Sequence, residues 1–439
     1  MDAQSIADVL IIGGGPAGST AAAELAARGR RVVLLEKSRH PRFHIGESLL
    51  PANLPLFEHL GVADQIRAIG MEKWAAEFHS PFDGRQQTFE FADCWDKTRP
   101  FAYHVRRSDF DDILFRNAAR RGAETLEGCR VEDVRFAPGG EGVRVEARHE
   151  DGRRQIWQAR QLIDASGRDT FLGKRLQLKR RNPDHNSSAL YAHFTGALRN
   201  EDRAEGNIGI YWFEHGWFWF IPLRDGVTSI GAVVWPYYLK SRNVSVQQFF
   251  NDTIALCPPL AQRLREAVQV TPVEATGNYC YSSTQCVGPN YLLTGDAYAF
   301  VDPVFSSGVM LAMNSGLEAA RAVDAILTSA RSTRAALRRY ERVMRHGPRT
   351  FSWYIYRVSN PTMRELFLAP RNALRMKEAL LSLLAGDIFG ATPIWGSLRA
   401  FKAVYYVDCA LHPLRTLKAL RRRSFNIRTM DDERPVVSG

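Results

Sequence analysis

A short apolar run, a glycine-rich turn and an alanine-rich segment open the chain. Residues 7–12 (ADVLII) predict a buried strand, and GGGPAG at 13–18 leads into a helix that ends near Arg28. A second apolar run, residues 31–35, ends in Glu36. Strand, glycine turn, helix, strand and acid in this order predict one βαβ unit of a parallel sheet.

An aromatic run, GWFWFIP, occupies residues 216–222. Because strand side chains alternate between two faces, Trp217 and Trp219 share one face and the two phenylalanines share the other. Neither face is polar. The pattern therefore predicts a strand that is covered on both sides in the core of a large sheet.

Helical periodicity is strongest in the C-terminal part. Residues 315–326 predict a helix, and the aromatic segment 351–356 and the aliphatic segment 380–389 (LLSLLAGDIF) predict further helices. The segment 415–428 (RTLKALRRRSFNIR) carries six lysines and arginines. We therefore expect a mainly helical C-terminal region with a basic tail.

Composition places the chain among globular proteins. Its 439 residues are 45% hydrophobic and 24% charged, which fits one large domain or two interleaved ones. No apolar run approaches the roughly 20 residues of a membrane helix, and the start has no basic flank or cleavage site of a signal peptide. We expect a cytoplasmic protein without a membrane span.

Cysteine spacing and net charge narrow the choice of partners. The six cysteines form no CxxC pair and no metal-ligand pattern, so we expect reduced thiols and no metal site. The net charge of +11 favours an acidic partner. Nucleic acid is one candidate, but no nucleic-acid-binding motif is present. An acidic carrier protein explains the charge equally well.

The glycine turn points to a dinucleotide. Gly13, Gly15 and Gly18 form a GxGxxG between the first strand and the helix, where a tight turn and the helix N-terminus hold a pyrophosphate. Glu36 ends the second strand, where an acid accepts hydrogen bonds from an adenosine ribose. A second GxGxxG in this setting is absent from the sequence.

Three downstream motifs indicate which dinucleotide is bound. RxxFD at 107–111, DASGR at 164–168 and GDA at 295–297, together with GGGPAG and Glu36, resemble the single-component FAD monooxygenase fold. The resemblance implies an α/β architecture of the p-hydroxybenzoate hydroxylase type. In it, an FAD-binding Rossmann-like domain over 1–330 is interleaved with a mixed substrate-side sheet, roughly 70–105 and 180–280. A helical substrate-pocket region over 331–439 follows.

Three more motifs narrow the family. HIGESLLP at 44–51, DPVFSSGV at 302–309 and WFWFIP at 217–222 resemble the HxGESLxP, DPxFSSGV and WxWxIP segments of flavin-dependent halogenases. The resemblance implies FAD that arrives as FADH2 from a separate flavin reductase, and a halide ion that is oxidised to hypohalous acid. It also implies that Trp217 and Trp219 keep an organic substrate away from the flavin.

The resemblance assigns delivery of the oxidised halogen to a lysine, which acts either as an N-halo-amine or as a hydrogen-bond and proton donor that raises the electrophilicity of hypohalous acid. Lys73 lies in GMEKWAAEF at 70–78, which resembles the halogenase segment FxxKxGAxF, although Met71 and Ala75 depart from it. A lysine taken alone is usually a solvated surface residue. In a poorly hydrated aromatic pocket its pKa falls, as attack on an electrophilic halogen requires.

One departure bears on the substrate. Tryptophan halogenases carry a glutamate three residues before the glycine matched by Gly308, and here Phe305 stands there. Phenol and pyrrole halogenases also lack this acid, so the resemblance implies an electron-rich small aromatic substrate. Chain length and the LLSLLAGD segment resemble halogenases whose substrate is tethered to an acyl or peptidyl carrier protein, which makes such a carrier a candidate partner.

The resemblance assigns cofactor contacts to Gly13, Gly15, Ala17, Gly18, Glu36, Glu47, Ser48, Arg107, Asp296, Pro303, Gly308 and Val309, a halide site to Ser307 and Gly308, and catalytic roles to Lys73, Trp217, Trp219 and Ser307. For Asp296 the alternative is a helix N-cap. Two other functions stay open at this point. One is an FAD-dependent monooxygenase or geranylgeranyl-reductase-like oxidoreductase, and the other is a flavin-binding assembly partner without chemistry.

Overall fold

The computed structural model describes residues 6–80, 84–140, 142–183, 185–277, 280–357, 360–370, 372–390 and 392–428. The strands within these ranges are β1 Ile6–Ile12, β2 Val32–Leu35, β3 Met71–Lys73, β4 Ala75–His79, β5 Gln86–Glu90, β6 Ala102–His104, β7 Glu124–Leu126, β8 Cys129–Phe136, β9 Val143–His149, β10 Arg154–Asp164, β11 Lys179–Arg181, β12 Ser188–Thr195, β13 Ile208–Phe213, β14 Gly216–Pro222, β15 Val227–Val234, β16 Val268–Gln269, β17 Glu274–Thr276, β18 Tyr281–Ser283, β19 Val287–Gly288, β20 Tyr291–Leu293 and β21 Ala299–Phe300.

The helices in the same ranges are α1 Pro16–Ala27, α2 Leu54–Leu60, α3 Ala63–Ile69, α4 Arg107–Arg120, α5 Phe171–Arg175, α6 Pro236–Lys240, α7 Val246–Ala255, α8 Pro258–Arg263, α9 Gly308–Thr328, α10 Ala330–Ile355, α11 Pro361–Leu368, α12 Met376–Leu384, α13 Trp395–Leu411 and α14 Pro413–Arg428. None of these helices is both long and apolar enough to cross a bilayer. The chain divides into two compact units. Unit 1 comprises Met1–Ile69, Val105–Arg181 and Tyr281–Thr350, and unit 2 comprises Gly70–His104, Asn182–Cys280 and Phe351–Gly439.

Unit 1 is built on a sheet with the strand order β19-β20-β10-β1-β2-β7. β1 lies between β2 and β10 and pairs with both in parallel, so that Ile12 stands beside Leu35 on one side and Asp164 on the other. β20 continues the parallel set next to β10. The carboxyl ends of these strands therefore meet at one edge, where open α/β sheets bind their ligands. The predicted βαβ unit is confirmed.

Two helices of unit 1 pack with almost no space between their backbones. A Cβ on Gly316 of α9 would lie 2.3 Å from the carbonyl oxygen of Ala17 in α1, and a Cβ on Gly295 would lie 3.1 Å from the Ala17 Cβ. Only glycine permits these approaches. The contact brings the first turn of α1 to the turn that follows β20. The helix predicted over 315–326 is longer than expected, because α9 begins at Gly308.

Unit 2 contains a large mixed sheet with the strand order β16-β12-β15-β14-β13-β4-β5. β14 pairs with β13 and β15 in antiparallel fashion, so the aromatic run lies in the middle of the sheet. Phe218 and Phe220 face a hydrophobic core that includes Phe249 and Phe250 of α7 and Leu260 of α8. The predicted core strand is thus confirmed, and Trp217 and Trp219 project from the opposite face.

The C-terminal helices of unit 2 are α11 to α14, and one of them ends earlier than the sequence indicates. α12 stops at Leu384, and Gly386 has a φ of +84°. The predicted helix over 380–389 is therefore wrong in its second half, because the left-handed glycine ends the helix.

Candidate active site

The glycine turn after β1 combines close packing with open space. A Cβ on Gly18 would lie 1.9 Å from the Gly13 carbonyl oxygen, and a Cβ on Gly13 would lie 2.4 Å from the Ala165 carbonyl oxygen. At Gly15 the nearest atom to such a Cβ is the Arg42 guanidinium, 3.6 Å away. The space at Gly15 adjoins the N-terminus of α1, whose first N–H groups have no partners within the helix, and this fits a pyrophosphate.

Glu36 is held beside that turn. Its carboxylate accepts a hydrogen bond of 2.7 Å from the backbone N–H of Gly14 and one of 2.9 Å from the backbone N–H of Ser38. The Arg42 guanidinium lies 3.7 Å from the same carboxylate. Glu36 is therefore a buried anion with a fixed orientation at the end of β2. Arg42 supplies a cation next to the glycine turn, a role that was not predicted from the sequence.

Arg107 is bound to an acid of its own helix. Its guanidinium donates two hydrogen bonds to Asp111, of 2.9 and 3.1 Å, and a third of 3.0 Å to the carbonyl oxygen of Ile45. Asp111 is fully buried, and although burial alone would raise its pKa, the Arg107 charge and hydrogen bonds hold that pKa below its usual value. Arg107 thus anchors the segment that contains Glu47 and Ser48.

Glu47 and Ser48 are 2% and 5% exposed. The Glu47 carbonyl oxygen accepts a hydrogen bond of 2.9 Å from the Val105 N–H, which ties this segment to the residues before α4. Asp111 is the last residue of the RxxFD motif, and its role was not predicted from the sequence. The i, i+4 spacing of Arg107 and Asp111 on a helix was the available signal.

Asp296 lies in the turn after β20, within the 3-10 helix Gly295–Ala297. The N-cap of that turn is Thr294, so the N-cap alternative for Asp296 is wrong. Desolvation of the carboxylate raises the pKa of Asp296 to about 6, and the positive charges of Arg107 and Arg168 oppose the shift. A desolvated carboxylate at the carboxyl end of the sheet is suited to accepting hydrogen bonds from ligand hydroxyls.

A second turn presents backbone N–H groups to a ligand. The 3-10 helix Pro303–Phe305 is followed by Ser306 with a φ of +55°, and α9 then begins at Gly308. A Cβ at Gly308 would meet nothing within 4 Å. Ser307 is fully buried, and its Oγ has no hydrogen-bond partner among the described residues. Val309, the next residue of α9, is buried. Open space, an orphaned hydroxyl and a helix N-terminus together suit an anion.

Lys73, in unit 2, is a buried lysine. It is 1% exposed, and its Nζ lies 5.2 Å from the centroid of the Phe91 ring. Burial lowers the pKa of Lys73 to about 7. The alternative of a solvated surface lysine is therefore wrong for this residue. An amine in this environment is partly neutral at neutral pH and can act as a nucleophile.

The two tryptophans of β14 form a packed pair in the same unit. Their ring centroids are 6.2 Å apart, and each residue is 6% exposed. The Trp219 indole N–H donates a hydrogen bond of 3.1 Å to Ser229 Oγ on β15. A Cβ on Gly231 would lie 2.1 Å from the Trp219 ring, so glycine at this position lets the ring lie flat on the strand. The pair is rigid.

No group of three His, Cys, Asp or Glu side chains that could hold a metal ion occurs in the part of the chain that the structure describes. Within unit 1, the glycine turn, Glu36, Arg107, the Asp296 turn and the Ser307 turn all belong to segments that leave or approach the carboxyl end of the parallel sheet. The orphaned Ser307 hydroxyl and the spaces at Gly15 and Gly308 fit a dinucleotide cofactor of the FAD type.

Comparisons with known proteins agree with this geometry. The model of the FAD binding domain family matches residues 6–348. A 1H-pyrrole-2-carbonyl-[peptidyl-carrier protein] chlorinase from Pseudomonas fluorescens is 32% identical over 406 residues, which cover 87% of this chain and 89% of that protein. A tryptophan 2-halogenase from Chondromyces crocatus is 33% identical over 355 residues, 78% of this chain and 66% of that protein.

Solved structures give the same result. The myxobacterial chondrochloren halogenase superposes with a TM-score of 0.76 and 34% identity, covering 90% of this chain and 93% of that one. A flavoprotein/dehydrogenase from Cytophaga hutchinsonii has a TM-score of 0.81 and 28% identity, covering 88% and 94%. The predicted fold class, an FAD-binding Rossmann-like α/β domain with an interleaved sheet and C-terminal helices, is confirmed. The chain belongs to the flavin-dependent halogenases, FAD-binding oxidoreductases.

Proposed function

We propose that the protein uses FADH2, oxygen and chloride or bromide to make hypohalous acid, which Lys73 delivers to an electron-rich aromatic ring. The observation that carries the proposal is the burial of Lys73 with a pKa near 7. About half of such amines are neutral at pH 7, against roughly one in three thousand for an ordinary lysine. The bound flavin supplies the oxidation of the halide.

Lys73 performs the transfer as a nucleophile. The neutral amine attacks the halogen of hypohalous acid, the N–X bond forms, the O–X bond breaks, and the departing hydroxide takes one amine proton to become water. The arene then attacks the halogen, loses its ring proton, and the amine is restored. A protonated Lys73 lacks the lone pair for the first step, so a lowered pKa is required of it.

Ser307 and Gly308 are the proposed halide site. A chloride or bromide ion gives up part of its hydration to react, and fixed N–H and O–H donors replace that hydration without a full countercharge. The orphaned Ser307 hydroxyl and the N-terminus of α9 are such donors. Gly308 keeps the approach open, since a Cβ there would meet nothing within 4 Å.

Trp217 and Trp219 are the proposed barrier to the organic substrate. By keeping an aromatic ring away from the cofactor, the two tryptophans would favour halogenation over direct hydroxylation of the ring. Both tryptophans are buried, and Trp219 is fixed by its hydrogen bond to Ser229 and by its close contact over Gly231. Large buried aromatic side chains of this kind exclude the ring of an aromatic substrate. The halide ion and hypohalous acid are small enough to take a narrower route.

The proposed substrate is a phenol or a pyrrole. Phe305 stands where tryptophan halogenases carry an acid, and an electron-rich ring needs less assistance in losing its proton. We further propose that the substrate is tethered to an acyl or peptidyl carrier protein. Two observations support this: the net charge of +11, and the name of the pyrrole-carbonyl chlorinase relative, which acts on a ring held by a peptidyl carrier protein. A separate flavin reductase would supply FADH2.

The test supplies FADH2, oxygen and bromide to the purified protein together with free and carrier-tethered phenols and pyrroles. The expected result is a brominated product, seen by its isotope pattern, that disappears without halide. The similarity to a flavoprotein/dehydrogenase keeps a second function in view, an FAD-dependent monooxygenase or reductase. Direct NAD(P)H consumption with a hydroxylated or reduced product, independent of halide, would establish that function instead.

A further inference from the structure

His104, at the end of β6, is a fully buried histidine with only one of its ring nitrogens satisfied. Its Nε2 lies 2.9 Å from the carbonyl oxygen of Gly206. A carbonyl accepts, so Nε2 carries the hydrogen, and Nδ1 of the neutral ring is a lone-pair acceptor. Nδ1 has no hydrogen-bond partner among the described residues. Leaving such an acceptor buried without a donor destabilises the folded protein.

The strand pairing places this ring next to the proposed catalytic amine. β3 and β6 are antiparallel, with Met71 opposite His104 and Lys73 opposite Ala102. Because alternate residues share a face, Lys73 and His104 point to the same side as diagonal neighbours, a spacing of roughly 7–8 Å that a lysine side chain spans. Burial, and after it the charge of Lys73, hold the pKa of His104 well below its ordinary value.

One loop fixes both strands. A Cβ on Gly206 would lie 1.9 Å from the carbonyl oxygen of Glu72, so the loop backbone presses on the residue before Lys73. Asn207 Oδ1 accepts a hydrogen bond of 3.0 Å from the Ala75 N–H, two residues after Lys73. The Gly206 carbonyl oxygen also fixes the tautomer of His104. The same loop therefore holds the backbone on both sides of Lys73 and orients the lone pair of His104 Nδ1.

We propose that His104 is a positioning residue for Lys73, with His104 Nδ1 accepting an N–H of the lysine amine, directly or through one water molecule. The inference rests on the proposed role of Lys73. An acceptor at this point orients the amine so that its lone pair faces the incoming halogen. The other cation whose charge acts on His104 is Arg199, which is held by Glu205 at 3.0 Å and by the Val227 carbonyl oxygen at 2.6 Å. Of the two cations, Lys73 is the one that the strand pairing places beside the imidazole.

Two substitutions test the two ring nitrogens of His104 separately. His104→Gln keeps an N–H near the Nε2 position for Gly206 and removes the Nδ1 acceptor, whereas His104→Asn keeps an acceptor near Nδ1 and removes the bond to Gly206. We expect His104→Gln to bind FAD and to halogenate about a hundredfold more slowly. An acceptor stabilises the ammonium more than the amine, so its loss lowers the pKa of Lys73 further.

The readout is the rate at which cyanate carbamylates Lys73 as a function of pH, measured by peptide mass mapping, beside the pH profile of halogenation. In His104→Gln both midpoints should move to lower pH. In His104→Asn they should stay at the wild-type value, although the protein is less stable. His149→Gln, on β9 of unit 1, is the matched control and should change neither.

Failure of the inference is distinct from failure of the proposed function. If Lys73→Met still halogenates, the proposed role of Lys73 is wrong, and the inference about His104 is wrong with it. If Lys73→Met is inactive while His104→Gln leaves the Lys73 titration unchanged, the inference alone is overturned, even where the rate drops. Should His104→Gln not fold, the ¹⁵N resonance of His104 Nδ1 decides, compared between wild type and Lys73→Met well above pH 7, where the Lys73 amine is neutral. A difference is expected there, and an unchanged resonance would overturn the inference.

Discussion

The Nζ of Lys73 lies 5.2 Å from the centroid of the Phe91 ring, and Lys73 is only 1% exposed. The Phe91 N–H donates a hydrogen bond of 3.0 Å to the carbonyl oxygen of Trp74, the residue after Lys73. This hydrogen bond holds the backbone of Phe91 close to that of Lys73. The aromatic face stabilises the cation only in part. Desolvation outweighs it, and the pKa falls to about 7.

Replacement of this amine should abolish halogen transfer without loss of the cofactor. Lys73→Met keeps the length and the apolar stem of the side chain but has no nucleophilic nitrogen. We expect FAD binding and FADH2 oxidation to persist while halogenated product falls by at least about a hundredfold. Product mass spectrometry beside oxygen consumption checks this. Lys402→Met, whose amine lies 4.7 Å from the Trp353 ring but is only half-buried, is the control and should remain active.

The same substitution should stabilise the protein in a pH-dependent way. The pKa of Lys73 is about 7 in the folded protein against 10.5 for an ordinary lysine, so folding carries the full cost of a buried charge below pH 7. The cost shrinks as pH rises from 7 to 10.5 and is absent above that. Lys73→Met should therefore raise the free energy of unfolding by up to about 5 kcal/mol at pH 6 and by about 2 kcal/mol at pH 9. Urea unfolding at both pH values tests this, and an equal gain at both would contradict the lowered pKa.

Removal of the Ser307 hydroxyl should affect halide use but not stability. The hydroxyl is buried without a described partner, so Ser307→Ala breaks no internal bond, and the melting temperature should stay within a few degrees. The halide concentration for half-maximal rate should rise about tenfold. Ser315→Ala is the contrasting variant, because Ser315 Oγ accepts from Thr294 at 2.9 Å and from the Gly295 N–H at 3.0 Å. It should lower the melting temperature. An unchanged halide requirement in Ser307→Ala would remove Ser307 from the proposed site.

The buried ion pair of α4 should be essential for unit 1. Asp111→Asn leaves the Arg107 guanidinium buried without its countercharge, at a cost of about 3–5 kcal/mol. Arg107 would also hold the Ile45–Gly46 backbone less firmly, and we expect this to lower the affinity for FAD. The neighbouring substitution Asp112→Asn breaks a pair with Arg116 whose members are 32% and 44% exposed, so it should change stability by less than about 1 kcal/mol. Chemical unfolding and flavin fluorescence measure the two variants. Similar losses in both would contradict the argument.

Local pattern by itself determined the βαβ unit and the core strand. Glycine is required at positions 13 and 18, because a Cβ there would clash with the backbone of neighbouring segments. This requirement depends on the backbone of a strand-turn-helix unit, so the spacing of the glycines predicts the unit from the sequence alone. The alternation of Trp217 to Phe220 fixes two faces in any strand. The helix end at Leu384 was not readable, because the left-handed glycine at 386 competes with an aliphatic pattern that continues to Phe389.

Only the tertiary structure decided the electrostatics. A lysine in GMEKWAAEF has an ordinary pKa until Phe91 and the pairing of β3 with β6 remove it from water. Asp111, Arg42 and His104 gained their importance from partners that fold against them, and the Ser307 hydroxyl was orphaned by its burial at the start of α9. Hydration and hydrogen bonding depend on three-dimensional neighbours, which residue type and spacing do not contain.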